Sequence, residues 1–335
     1  MRADGVFSGG GIKGLAFAGA LQAAEEAGYS EWVNLAGTSA GAITAMALAV
    51  GYDAKGLREL FSFDFSKIDD RGGPFGLGVI ANYFRHGIAR GRALSAWIED
   101  LLENAPTRVE RFGELGGRLK VVGSDLVHGH IVVLPDDAGK YLDPEGRPYV
   151  PDEFPIATAV RISAGYPGFF PPIPLRDAAT GKDGALVDGG VVSGFPVFLF
   201  DEPQPEHPTW AFRLHGGPAL EQPHYHPIGG LLWPVAMIKD VIDTAINALD
   251  QVELQTFGNR VIAIPTGSVS TLNFSLSEQE REFLYESGYE AAKKFFLAPD
   301  PTNRFGAKPP AQPVTGEASG SVRRAGSRPA GRSGG

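Results

Sequence analysis

Ser39 occupies the centre of the segment Gly37-Thr38-Ser39-Ala40-Gly41, which fits the pattern G-x-S-x-G. The apolar stretch WVNLA precedes it and a run of small residues follows, so the serine is predicted at a turn between a strand and a helix. A side chain at such a turn is exposed at the helix N-terminus, and the flanking glycines prevent collisions. The pattern indicates a nucleophilic serine, with an ordinary helix N-cap as the alternative.

A serine hydroxyl needs a base to become a good nucleophile, and one candidate base is a histidine. His215 follows the predicted strand WAFRL and fits the chain order serine, acid, histidine of the α/β-hydrolases. Those enzymes place the nucleophile after several strands, whereas Ser39 follows the second predicted strand here. This difference in position argues against a triad that includes His215, although the sequence leaves it open.

The other candidate base is the carboxylate of Asp188, which ends the apolar stretch ALVD. Gly189 and Gly190 come directly behind it, and they would let the chain turn away and leave the carboxylate facing a cleft. A free aspartate with a pKa of about 3.9 is a weak base, so this interpretation requires burial to raise that pKa. The alternative is an ordinary turn formed by an Asp-Gly pair.

A third stretch, SGGGIKG, places Gly9, Gly10 and Gly11 between a predicted strand and a predicted helix. Backbone N–H groups at such a position bind either a dinucleotide pyrophosphate or the oxyanion of an acyl-transfer intermediate. The spacing Gly9-x-Gly11-x-x-Gly14 fits the dinucleotide fingerprint, but that site also needs an acidic residue at the end of the second strand. Because this strand runs into Gly37 instead, the stretch favours an oxyanion hole.

The three segments SGGGIKG, GTSAG and DGG, in this order, resemble the signatures of the patatin-like phospholipases. The segments GIARGRALSAWIEDLL, LKVVGSDLVHGHIVVL and ATAVRISAGYPGFFPP are also similar to that family, and the resemblance covers roughly residues 5 to 297. It implies a modified α/β-hydrolase fold and a serine–aspartate dyad formed by Ser39 and Asp188. It also implies an acyl lipid substrate and an ester hydrolase of the phospholipase A or lysophospholipase type that requires no metal or organic cofactor.

The resemblance further assigns the backbone of Gly9, Gly10 and Gly11 to the oxyanion hole, with the Ala40 N–H as a further donor. The residues that support the three signatures are then Ile12, Lys13, Gly14, Gly37, Thr38, Ala40, Gly41, Gly189 and Gly190. A lipid-binding or signalling module without activity is the alternative that the intact Ser39 and Asp188 disfavour.

Two positions depart from the family pattern. The family usually shows asparagine before the proline that follows D-G-G, whereas this chain has Ser193 and Gly194 there. The family's serine-rich stretch before FFPP is reduced to Ser163, which Ala164 follows. These departures leave the dyad intact and affect the expected positioning of substrate.

The elements that must position these residues alternate between short apolar strands and longer amphipathic helices. This order predicts an α/β three-layer sandwich with a mostly parallel central sheet. The predicted strands are Gly5 to Ser8, Trp32 to Ala36, Leu119 to Asp125, His130 to Leu134, Ala185 to Asp188, Thr209 to Leu214 and Arg260 to Pro265. The predicted helices are Ile12 to Ala27, Ala40 to Val50, Ala93 to Asn104, Ile156 to Ala164, Leu232 to Phe257 and Ser277 to Leu297, the last opened by a Ser277–Glu280 capping box.

The composition narrows the classes of function. A net charge of −9 over 335 residues disfavours a general nucleic-acid binder, and the lack of cysteine excludes disulfides and thiolate chemistry. The apolar runs fall short of the roughly 20 residues of a membrane span, and no leader is evident, so we expect a soluble, cytoplasmic protein with at most transient association with a membrane surface. Residues 1–306 are expected to form the catalytic domain, and residues 307–335, rich in Pro, Gly, Ser and Arg, a disordered tail.

Overall fold

The computed structural model describes residues 1–68, 70, 89–202, 204–216, 258–271 and 274–298. The strands are β1 (Arg2–Phe7), β2 (Glu31–Thr38), β3 (Leu119–Asp125), β4 (His130–Leu134), β5 (Leu186–Asp188), β6 (Thr209–His215) and β7 (Val261–Pro265). The α-helices are α1 (Leu15–Glu26), α2 (Ala40–Ala49), α3 (Ala54–Phe61), α4 (Arg92–Glu103), α5 (Ile156–Ser163) and α6 (Glu278–Leu297). Short 3-10 turns include Gly11–Gly14, Phe65–Ile68 and Gly189–Val191.

The strands form one sheet in the order β4-β3-β2-β1-β6-β7. The pairs β1–β2, β1–β6, β2–β3 and β6–β7 are parallel, whereas β4 and β5 both run antiparallel to β3. The predicted α/β class with a mostly parallel central sheet flanked by helices is therefore confirmed. Because the parallel strands share one direction, the loops after β1, β2, β3, β6 and β7 meet at the same edge, which we call the carboxyl edge.

Alternating side chains give the sheet two buried faces. On one face, Phe7 stacks on Phe212 with ring centroids 5.0 Å apart and meets Phe17 of α1 edge-on at 5.4 Å. On the other face, Val6 and Ala211 pack with Val197 in a smaller apolar cluster. Because both faces are covered, the adjacent residues Val6 and Phe7 of β1 are both fully buried.

Strand β3 brings the two candidate catalytic segments together. Its first half pairs with β2, so that Thr38 lies opposite Val122. Its second half pairs with β5, which lies on the same side of β3 as β2 and pairs beyond the point where β2 ends. In this pairing, Gly123 lies opposite Asp188. Two consecutive residues of β3 thus align the residue before Ser39 with Asp188, although about 150 positions separate Ser39 and Asp188 in the sequence.

The bounds of the predicted strands agree with the structure to within about three residues, and the Ser277–Glu280 capping box is confirmed. The predicted helix from Ile12 to Ala27 is wrong at its start, because Gly11–Gly14 forms a 3-10 turn and α1 begins at Leu15. The predicted helix from Leu232 to Phe257 and the tail from 307 to 335 lie outside the described residues. In the part of the chain that the structure describes, no helix has the length and apolar character that a bilayer span requires.

Candidate active site

Ser39 lies in a strained turn between β2 and α2. Its φ of 57° and ψ of −124° make it the one residue other than glycine with a positive φ among the described residues. The turn is tight, because a Cβ on Gly37 would lie 2.1 Å from the Gly41 carbonyl oxygen, and one on Gly41 would lie 2.2 Å from that of Phe7. Both glycines of G-x-S-x-G are therefore required by backbone contact, as the motif predicts.

Asp188 ends β5 and is 4% exposed. Its Oδ1 accepts a hydrogen bond of 2.8 Å from the Gly190 N–H. Burial raises the pKa of the Asp188 carboxyl to about 6, against the lowering effect of hydrogen bonds from the Ser39 side chain and the Gly190 N–H. The chain therefore holds a carboxylate that contacts the Ser39 hydroxyl and has the raised pKa that a general base requires.

The glycine loop lies next to this pair, since a Cβ added to Gly9 would lie 3.5 Å from the Ser39 Cβ. The Gly9 N–H donates to the Gly194 carbonyl oxygen at 3.0 Å, so this amide already has its acceptor. Within the described residues, the N–H groups of Gly10 and Gly11 donate to no acceptor. Of the three predicted oxyanion-hole glycines, Gly9 thus anchors the loop, and the N–H groups of Gly10 and Gly11 have no acceptor in the part of the chain that the structure describes.

Gly11 has a φ of 57°, which favours glycine, and a Cβ there would lie 2.4 Å from the Thr271 carbonyl oxygen. The same carbonyl oxygen accepts the Ile12 N–H at 3.3 Å. Thr271 follows β7, so the loop after β7 holds the turn after β1 in place. The Lys13 N–H donates to the Gly10 carbonyl oxygen at 3.3 Å, which closes the 3-10 turn.

The remaining predicted motif residues stabilise the backbone around the site. The Thr38 hydroxyl donates to the Ser193 carbonyl oxygen at 3.2 Å, and buried Gly14 packs against Phe61. Gly189 packs closely against the Val122 carbonyl group of β3. Ala40, which is buried, starts α2 directly after Ser39.

Ser163 is a site residue whose role the sequence does not predict. Its hydroxyl accepts the backbone N–H of Ser39 at 2.9 Å and donates to the Val122 carbonyl oxygen at 2.6 Å. Two residues later, the Gly165 carbonyl oxygen accepts the Asp188 N–H at 3.0 Å. The end of α5 therefore holds the backbone of both candidate catalytic residues. The departure from the family's serine-rich pattern was the available signal, because it left a single serine in that stretch.

Replacing Ser163 with alanine is expected to lower kcat about tenfold with KM unchanged. The variant removes the acceptor of the partly buried Ser39 N–H, which costs up to about 1–3 kcal/mol when such a group is fully buried, and it removes a bond that holds the strained turn. Steady-state kinetics on a soluble nitrophenyl ester measure the effect. Ser163→Thr keeps a hydroxyl and should recover most of kcat, whereas equal rates for Ser163→Ala and the unaltered protein would contradict the positioning role.

His215 lies at the end of β6, where its Nδ1 is 3.0 Å from the Gly216 carbonyl oxygen. This is the polar contact of its imidazole within the described residues, and it involves neither Ser39 nor Asp188. The interactions that shift the pKa of Asp188 come from burial, Ser39 and Gly190. The predicted alternative base is therefore not placed between the two candidate catalytic side chains.

A cleft opens from Ser39 with about 580 Å³ of empty volume, including the solvent at its mouth. Its walls are almost entirely apolar and come from α2, the end of α3, α4 and the loops after α5 and β7. The lining residues are Gly11, Ile12, Ser39, Ala40, Ile43, Phe61, Phe65, Ile68, Leu94, Trp97, Ala164, Tyr166, Phe170, Thr271 and Phe274. Ser39 and Gly11 thus line a cavity whose chemistry suits a hydrocarbon chain.

The chain is similar to several known proteins. The chain is 36% identical over 306 residues to the uncharacterized protein YqhO of Bacillus subtilis strain 168, which covers 88% of this chain and 98% of the relative. Among solved structures it resembles VipD from Legionella pneumophila, with a TM-score of 0.52, 19% identity and coverage of 88% of this chain and 66% of VipD. It also matches ExoU of the Pseudomonas aeruginosa type III secretion system, with a TM-score of 0.43, 17% identity and coverage of 88% and 52%.

The structural likeness to VipD supports the fold alone because the identity is 19%, and this chain spans just under two thirds of that protein. The assignment to a family comes from the sequence. Residues 5–201 match the family model described as patatin-like phospholipase, and this range contains the glycine loop, the Ser39 turn and Asp188. The chain therefore belongs to the patatin-like phospholipase family, whose members hydrolyse lipid esters.

Proposed function

We propose that this protein is a serine acyl hydrolase that cleaves carboxylic esters of phospholipids or related acyl lipids, with Ser39 as nucleophile and Asp188 as base. The observation that carries the proposal is the pairing along β3, which aligns a strained serine with a buried carboxylate whose pKa is about 6. The family and the apolar cleft support activity of the phospholipase A or lysophospholipase type as part of this proposal.

In the first half of the reaction, the Ser39 hydroxyl attacks the ester carbonyl carbon and its proton passes to Asp188. The N–H groups of Gly10 and Gly11, with that of Ala40 at the start of α2, stabilise the oxyanion. As the tetrahedral intermediate collapses, the proton on Asp188 goes to the leaving alkoxide, and the alcohol or lysolipid departs. The acyl group remains on Ser39.

In the second half, water attacks the acyl-enzyme and gives a proton to Asp188. Collapse of the second intermediate releases the fatty acid and returns a proton to the Ser39 oxygen. A fluorophosphonate probe imitates the first half and should label Ser39 alone, as read by mass spectrometry of the digested protein. No labelling, or labelling at another residue, would contradict Ser39 as nucleophile and would favour a lipid-binding module.

The proposed acyl cleft is tested by Ile43→Phe. Ile43 is 7% exposed, lines the cleft and lies about one helical turn beyond Ser39 on α2. A larger ring should fill the cleft close to the nucleophile, so kcat/KM for a decanoyl ester is expected to fall about tenfold relative to an acetyl ester. The acetyl ester serves as internal control for folding, and an unchanged preference would mean that the acyl chain lies elsewhere.

A further inference from the structure

The turn between β3 and β4 reverses the usual distribution of polar and apolar side chains. Leu126 is 48% exposed and Val127 is 55% exposed, whereas Asp125 immediately before them is 1% exposed. A fully buried carboxylate needs hydrogen-bond or charge partners, and two neighbouring exposed aliphatic side chains place a small apolar surface at the end of the turn. We call the pair Leu126 and Val127 the hairpin tip.

The buried carboxylate holds the hairpin tip in this arrangement. Asp125 Oδ1 accepts the N–H groups of Val127 at 3.0 Å and of His128 at 3.3 Å. Its Oδ2 lies 2.8 Å from His128 Nδ1 and accepts the Tyr141 hydroxyl at 3.1 Å. The backbone of the turn is therefore tied inward, and the aliphatic side chains cannot fold back into the core without breaking these bonds.

The hairpin tip lies on the same edge of the sheet as the active site and extends beyond it. Thr38, the residue before Ser39, pairs with Val122, and Leu126 lies four residues further along the same direction. At about 3.3 Å per residue, the tip stands about 13 Å past the level of Thr38.

The charges around the hairpin tip compensate one another. The carboxylate of Asp125 is 1% exposed and so adds little to the surface charge, and the adjoining hairpin carries the ion pair between Arg176 and Asp183 at 3.2 Å. Behind the turn, Lys140 pairs with Asp137 at 2.8 Å. Such a surface has no excess of positive charge for an anionic membrane, and the whole chain carries a net charge of −9. Its electrostatics suit a zwitterionic surface.

We infer that the hairpin tip inserts Leu126 and Val127 into the surface of a zwitterionic phospholipid bilayer and so places the active-site edge against its substrate. The inference rests on the proposed function, because an acyl lipid in a bilayer must reach Ser39 from that surface. The tip adds apolar area at the interface while the acyl cleft remains available for the substrate chain.

The test uses full-length protein carrying Ser39→Ala, so that vesicles stay intact while binding is measured. Co-sedimentation with phosphatidylcholine vesicles compares this protein with a version that also carries Leu126→Gln and Val127→Thr. Both substitutions are uncharged, so a loss of binding cannot come from charge repulsion. The matched control is Leu297→Gln: Leu297 is 74% exposed at the end of α6, beside Phe296, which packs on Trp210 at the opposite edge of the sheet.

We expect the double substitution to weaken the partition coefficient about tenfold and the control to leave it unchanged. In protein with Ser39 intact, hydrolysis of vesicle lipid should fall in parallel while the rate on soluble nitrophenyl butyrate stays the same. Equal binding by the double variant, or no binding by the parent protein, would overturn the inference. So would a dimer in analytical ultracentrifugation that the double substitution dissociates, because the tip would then contact a second copy of the chain.

The same experiments separate this inference from the proposed function. If the unaltered protein fails to hydrolyse nitrophenyl butyrate, the acyl-hydrolase proposal fails, whereas vesicle binding by the Ser39→Ala protein still reports on the hairpin tip. If soluble ester is hydrolysed and the tip variants bind vesicles normally, the acyl-hydrolase proposal stands and the docking surface is wrong.

Discussion

Replacing Ser39 with alanine, or Asp188 with asparagine, is expected to lower ester hydrolysis by at least about 10³-fold. The first substitution removes the nucleophile. The second removes the base and keeps an oxygen that can accept the Gly190 N–H, now 2.8 Å from Asp188 Oδ1, so the turn after β5 should remain intact. The rate on nitrophenyl butyrate and the rate of fluorophosphonate labelling measure both losses.

Because the two residues act as one unit, the double variant should be no slower than the more impaired single variant. His215→Ala is the matched control, because the imidazole of His215 has its described polar contact with Gly216 and lies outside the Ser39–Asp188 pair. A dyad enzyme loses little from this substitution. A loss of several orders of magnitude in His215→Ala would contradict the dyad and restore the triad.

The sequence predicted the parts of the fold that depend on local pattern. The apolar stretches that became β1, β2, β3 and β6 alternate with helical segments, and G-x-S-x-G marks the turn at Ser39 by its own glycines. The capping box at Ser277 is equally local, and it starts α6 where expected. Each of these features is decided within a few residues, so the sequence contains the full signal.

The glycine loop adopts a structure that the local sequence pattern does not predict. A helix was predicted from Ile12, but Gly11 adopts a φ of 57° and the segment Gly11–Gly14 turns as a 3-10 helix before α1 starts at Leu15. The cause is tertiary, because the carbonyl group of Thr271, far along the chain, occupies the space beside Gly11 and accepts the Ile12 N–H. The same contact between distant segments decides which amides remain free for an oxyanion.

The sequence does not predict the contacts of Ser163 or the position of the antiparallel strand β5 in the sheet. The role of Ser163 exists because α5 ends where β2 turns into α2, and the residues around position 163 give no signal of that contact beyond the single serine left in the family's serine-rich stretch. Strand β5 has three residues, too few for a periodic pattern, and it pairs where β2 has ended. The topology of the sheet therefore brings Asp188 close to Ser39. The motifs suggest this approach through their resemblance to a family, but the local sequence does not predict it.

The activity is expected to fall with pH below about 6, because burial raises the pKa of Asp188 to that value and the base must be ionised to accept the Ser39 proton. With one controlling group, kcat/KM should drop tenfold per pH unit on the acid side and by about 100-fold at pH 4. Initial rates on nitrophenyl butyrate between pH 4 and 8 give the profile. An acid limb centred near the ordinary value of 3.8 would contradict the buried environment of Asp188.

The same raised pKa makes the charged Asp188 a source of instability. Between its ordinary pKa of 3.8 and its folded value of about 6, the folded protein holds a proton that the unfolded chain has lost. The free energy of unfolding therefore decreases as the pH rises through this range, by on the order of 3 kcal/mol when complete. Above pH 6 the full destabilisation is present, and below about pH 4 it vanishes.

Asp188→Asn should therefore be inactive and yet more stable than the unaltered protein at pH 7.5, with the difference disappearing near pH 4. Urea unfolding at the two pH values measures it. Asp125→Asn is the matched control: burial alone would raise the pKa of Asp125, but its hydrogen bonds from His128, Val127 and Ala185 lower it, so its ionised form stabilises the fold. The control should lose stability at pH 7.5, and a loss of similar size in Asp188→Asn would mean that the folded protein does not disfavour the ionised Asp188.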